Sequence, residues 1–81
     1  MSYTEDQLWD LLRGANEMPY GAAQIAAVEQ VIGHADAARL TELAFQARML
    51  GTNAYTYGGE PAKSVVTFTW CLTEYDRDPQ A

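Results

Sequence analysis

Apolar residues return at three- and four-residue steps along most of the chain and divide it into four amphipathic stretches. Ser2-Tyr3-Thr4-Glu5 and Thr4-Glu5-Asp6-Gln7 both have capping-box spacing, and the acids that follow suit the positive end of a helix. Leu8, Leu11, Leu12 and Ala15 then form one stripe. Pro19 keeps Met18 out of helical geometry, so this first helix is predicted to stop near Asn16 or Glu17. A second helix is predicted to begin near Pro19, with Ala22, Ile25, Ala26, Val28, Val31 and Ile32 as its stripe. Gly33 reads as its C-cap and Asp36 as the N-cap of the next helix.

The third stretch is the most regular. Leu40, Leu43, Ala44, Ala47, Leu50, Gly51, Ala54 and Tyr55 hold helical spacing, with Glu42, Gln46 and Asn53 off the stripe, until Gly58-Gly59 ends the pattern. Glu60-Pro61 opens a fourth helix. Two apolar seams run along it, one of Ser64, Val65, Phe68, Cys71, Leu72 and Tyr75, the other of Val66 and Trp70. Its β-branched residues lower helix propensity, and the alternation in SVVTFTWCL also fits a strand. A single strand would have no partner elsewhere in the chain, so helix is the better reading.

The expectation is an all-α single domain of four helices in two antiparallel hairpins, about 4–33 and 36–77, forming a short solenoid. A four-helix bundle is the alternative. The two halves look duplicated. Leu8, Leu11, Leu12 and Ala15 align with Ala47, Leu50, Gly51 and Ala54; Ile25, Ala26, Val28, Val31 and Ile32 align with Val65, Val66, Phe68, Cys71 and Leu72. Stacked hairpins of matched register each bury a face on the next.

Composition narrows the possible uses. With 81 residues and 48% apolar residue types, a small packed core is within reach and disorder is not expected. The net charge of −6 repels phosphate backbones and anionic lipid, so neither nucleic acid nor a membrane is an expected partner. Acids gather in two groups, Glu5, Asp6 and Asp10, then Glu74, Asp76 and Asp78. One cysteine, Cys71, forms no disulfide framework, and MSYTEDQLWD lacks the features of a signal peptide. A cytoplasmic setting is the default.

Tyr55, Gly59, Ser64, Phe68 and Cys71 follow the order of a first-helix aromatic, a turn glycine, a small residue, an aromatic one turn later and another small residue. In this the second hairpin resembles the tetratricopeptide repeat family, clearest over residues 45–79. Pro79 stands a few residues from the family's closing proline, and the first hairpin lacks the glycine and aromatic pattern. The resemblance implies a module that grips protein or peptide in a groove lined by the first helix of each hairpin. Carried over, the groove takes Gln46, Met49, Asn53 and Tyr57 from helix three, and Gln7, Asp10 and Arg13 from helix one. Ordinary solvent exposure explains the same residues equally well.

No catalytic constellation is visible. His34 is predicted in a loop without an orienting partner beyond Asp36, Cys71 reads as a packing thiol, and no metal-ligand spacing or phosphate loop occurs. No cofactor is expected. The last helix nonetheless carries more apolar surface than one neighbouring hairpin covers, and the Val66–Trp70 seam is expected to pack against another chain, a copy or a partner. The leading expectation is a tetratricopeptide-like protein- or peptide-interaction module, with self-association as a second use. The rivals are a small helical enzyme or accessory protein with a small-molecule pocket between hairpins, and an acidic inhibitor or antitoxin-like protein that masks a basic partner.

Overall fold

The computed structural model describes residues 3–77. Ser2, Asp78 and Pro79, which carry a capping expectation, an acidic charge and the closing proline, lie outside them. Four helices follow one another: α1 (Glu5–Asn16), α2 (Ala22–Ala37), α3 (Thr41–Tyr57) and α4 (Pro61–Arg77). The SVVTFTWCL segment lies within α4, so the helical reading holds over the strand.

Helix α1 starts as its sequence dictates. The Gln7 amide N–H donates to Thr4 Oγ1 at 3.1 Å, and the Thr4 N–H donates to Gln7 Oε1 at 2.9 Å, so each end of the capping box satisfies an otherwise orphan donor. The boundaries of α2 differ from those predicted. Pro19 precedes the helix, which begins only after Gly21, whose φ of 151° is open to glycine alone. Gln24 reinforces the turn. Its buried amide nitrogen donates to the Ala15 and Met18 carbonyls at 3.0 and 3.2 Å and closes the end of α1.

At its far end α2 runs through Gly33 and Asp36 to Ala37, so neither residue caps a helix. A glycine inside a helix costs about 1 kcal/mol. Here the loss is outweighed because another turn carries Ala35 into full burial against the core. The true stop is a Schellman closure. The Leu40 N–H donates to the Ala35 carbonyl at 2.9 Å and the Arg39 N–H to the Asp36 carbonyl at 3.2 Å, with Arg39 left-handed at φ 58°. An L-residue bears a steric penalty there that glycine avoids. Arg39→Gly is therefore expected to stabilise the fold by about 0.5–1 kcal/mol, seen as a thermal midpoint roughly 3–6 °C higher.

Short connections reverse the chain at each step, so neighbours run antiparallel. Successive helices pack together and α1 also touches α3; among the described residues, α4 packs by its backbone on α3 alone. The result is a slab of 30 × 30 × 18 Å, two helix layers thick, with α3 at its centre. One core holds Leu8, Leu12, Val31, Ala35, Leu43, Ala44 and Ala47, and a smaller one holds Ile25, Ala54 and Tyr55. Small residues along α3 let its neighbours approach closely. The predicted stripe of α3 is buried or half-buried throughout, whereas Ala22 and Ala26 of α2 face outward.

Helix α4 buries Cys71 from its predicted first seam but is rotated so that most of that seam faces outward. Thr67 and Cys71 are buried against α3, and Thr67 Oγ1 lies 2.8 Å from Thr52 Oγ1. Trp70 is half-buried against the main core, so the Val66–Trp70 pair is not an uncovered seam. The apolar residues left in solvent are Val65, Phe68, Leu72 and Tyr75, with Val66 beside them. Among the described residues, no helix is long and apolar enough to cross a membrane.

Candidate functional site

Between α1 and α3 lies an open groove of about 390 Å³. Trp9, Leu12, Arg13 and Asn16 line it from α1, and Gln46, Met49, Leu50 and Asn53 from α3. The placement follows from helical periodicity. Positions 46, 49 and 53 share one edge of α3, just off its buried stripe, and positions 9, 13 and 16 share the facing edge of α1. Leu12 and Leu50 are apolar and largely covered, Met49 is exposed, and three amides and one guanidinium sit beside them.

The structure thus gathers four of the nominated residues, Arg13, Gln46, Met49 and Asn53, into one groove. It leaves out the others. Tyr57, the last residue of α3, leans on Tyr20 with ring centroids 5.0 Å apart. Gln7 is engaged in the cap of α1, and Asp10 holds Arg13 in an exposed ion pair at 2.5 Å. Trp9, which the sequence associates with a small-molecule pocket between hairpins, and Asn16, which the sequence reading missed, stand four before and three after Arg13, the spacing of a shared face. Trp9 Nε1 donates to Glu5 Oε2 at 3.2 Å, which fixes its ring at the groove's edge.

Val66 and Trp70 line a different groove, of about 370 Å³, where α2 and α4 face each other over α3. Its polar members are tied to one another and to nearby residues of α2 and α4. Arg48 reaches from α3 to Asp36 of α2 through two hydrogen bonds, 2.9 and 2.7 Å, and its guanidinium carbon lies 4.0 Å from the Trp70 ring centre. The hydrogen bond from Arg48 holds the Asp36 carboxyl below the usual aspartate range; partial burial opposes this and the arginine charge adds to it. Tyr55 donates to Glu29 Oε2 at 2.7 Å, and Lys63 sits 3.6 Å from the same carboxylate. Burial, then the hydrogen bond and charge of Glu29, push the Tyr55 hydroxyl well above its ordinary pKa, so it stays a donor. Both links join α2 to the second hairpin. His34 is in α2, not in a loop, and its ring meets Tyr3 edge-on at 4.8 Å.

The depressed Asp36 pKa has a defined sign. Its contribution to stability is complete above the unfolded aspartate pKa, ~3.9, and disappears as pH falls through the lower folded value. Because Asp36 is nearly half exposed, solvent screening limits the effect to less than about 1 kcal/mol. Asp36→Asn is expected to be less stable than the parent chain at pH 7 and to approach it near pH 2–3. Urea titrations at both pH values measure this, and an unchanged gap would remove Asp36 from the acid response.

Cys71 is buried, its Sγ 3.9 Å from the Phe45 carbonyl oxygen, and burial raises its thiol pKa against the pull of Arg48. Comparison of the chain with family models, with curated proteins and with solved structures found no match in any of the three.

Proposed function

We propose that this chain is a tetratricopeptide-like interaction module that holds an extended peptide segment of another protein in the groove between α1 and α3. One observation carries the reading. Arg13, Gln46, Met49 and Asn53, nominated from two separate helices as a peptide-facing surface, line the same groove. From Gln46 to Asn53 the groove runs about 10 Å along α3, the length of about three extended residues. Gln46, Asn53 and Asn16 offer paired donors and acceptors to a peptide backbone, and Trp9, Met49 and Leu50 offer contact to one apolar side chain. Arg13, the only cation among the described residues of the groove, is already paired with Asp10, which favours backbone and apolar recognition over capture of a free carboxylate. A reducing, cytoplasmic setting suits the unpaired Cys71.

Selection from a random peptide display library, followed by calorimetry on the selected peptides, tests this. Asn53→Ala is expected to weaken binding about 3–10-fold, the value of one or two hydrogen bonds. Met49→Glu, which places a charge in the groove, is expected to weaken it more than tenfold. Selected peptides that bind both variants as well as the parent chain would sink the proposal.

A further inference from the structure

The apolar positions of α2 recur in α4 at an offset of 40 residues, yet they meet different fates. In α2, Ile25 is 4% exposed, Val28 1% and Ala35 0%, because α3 lies over them. Their counterparts in α4, Val65, Phe68 and Tyr75, are 64%, 51% and 54% exposed, and Leu72, the counterpart of Ile32, is 47% exposed. At one edge of the face the two helices agree, since Val31 and Cys71 are both buried. The chain therefore carries one helix face in two copies, one covered and one bare.

We infer that the Val65–Phe68–Leu72–Tyr75 stripe is the docking face for a helix of a partner protein, seated on α4 as α3 is seated on α2. The covered copy specifies the occupant's chemistry. Gly51 of α3 meets Val28 and Ile32 so closely that a Cβ added there would lie 3.4 Å from Val28 Cγ1 and 3.8 Å from Ile32 Cδ1. Its neighbours along that helix are Ala44, Ala47 and Ala54. An occupant helix thus presents glycine or alanine at three- and four-residue steps, so that Phe68 and Leu72 can seat between its turns. A basic flanking residue would match the exposed acidic Asp76 at one end of the stripe.

A second copy of this chain fits less well. Its own small-residue helix, α3, is already covered by α2 and α4. Two stripes meeting face to face would set bulky side chains against bulky ones, with no small residues to receive them, between molecules of like charge.

The test uses a fluorescent, hydrocarbon-stapled peptide with the sequence of α3, Thr41–Tyr57, as a surrogate occupant, with the full chain as receptor. Saturable binding by anisotropy is expected, weakened at least tenfold by Gly51→Leu in the peptide. It is also expected to weaken at least tenfold with Phe68→Glu or Val65→Glu in the receptor, both shown to be folded by circular dichroism. Val65 is the most exposed of the stripe, so its substitution leaves the core alone. Met49→Glu in the receptor is expected to have no effect, which separates this surface from the peptide groove. Absence of binding, or binding indifferent to Val65→Glu and Phe68→Glu, overturns the inference. So does a concentration-dependent dimer in light scattering that Val65→Glu dissolves, because the stripe would then belong to a second copy.

Discussion

Leu43→Ala is expected to remove about 3–4 kcal/mol of stability, from a total that for a domain of this size lies near 4–12 kcal/mol. Leu43 is 1% exposed and sits among Leu8, Leu12, Val31, Ala35, Ala44 and Ala47. Three of those six neighbours are alanines, which have no rotamer to swing into a void. The helices that carry them are already close, so the site has little means of collapse. The expected value therefore lies well above the lower end of the range for leucine truncations, about 2–5 kcal/mol. Urea unfolding followed by circular dichroism measures it, with an unchanged slope as evidence that the unfolded state is unaffected. A loss below 1 kcal/mol would mean that the core is looser than its burial indicates.

Gly58→Ala is the second large effect, expected at about 2–3 kcal/mol. Gly58 closes α3 with an ordinary negative φ, so backbone freedom is not the reason for glycine here. A Cβ at this position would overlap the Ala54 carbonyl oxygen and stand 2.9 Å from Ile25 Cδ1. The carbonyl cannot yield without breaking the 2.7 Å hydrogen bond that the Gly58 N–H donates to it. The end of α3 must therefore move away from α2 and loosen the contact of Ile25 with Ala54 and Tyr55. Gly59, next in the chain, is the informative control. It has open space around it but a φ of 95°, so Gly59→Ala carries a conformational penalty near 1–2 kcal/mol and no clash. Trimming Ile25 to valine should rescue part of the Gly58→Ala loss and none of the Gly59→Ala loss, as a double-mutant cycle would show. Equal rescue of both would contradict the steric account.

The sequence revealed α1 and α3 well because each has a single apolar stripe with polar residues elsewhere. In α2, glycine and aspartate at 33 and 36 carried valid local stop signals, but these lost to burial of Ala35 one turn further on. Helix α4 was harder to orient because it is apolar on nearly every side. A reading by hydrophobicity sends Phe68 and Leu72 inward. The structure buries Cys71 of that seam together with Thr67, which lay in neither seam, since small side chains allow close approach to α3. The Thr67 hydroxyl is satisfied there by Thr52 and the Ser64 carbonyl. The groove was legible from off-stripe spacing in α3 and Arg13. Tyr57 was misplaced because the helix ends at that residue, where lateral contact with Tyr20 replaces groove geometry.

The packing of each helix on its neighbour in sequence also bears on how the chain reaches its fold. Nearly every helix contact joins segments a few tens of residues apart, and α3 alone touches the other three. Little loop entropy must be surrendered before contacts begin to form, which places folding in the microsecond-to-millisecond range of helical domains. Helix α3 can act as a template on which α2 and α4 settle independently, with α1 following α2. Opening would run in reverse, from the two outer helices towards the middle. A molecule arranged in this way can loosen α4 while the α1–α3 groove keeps its shape.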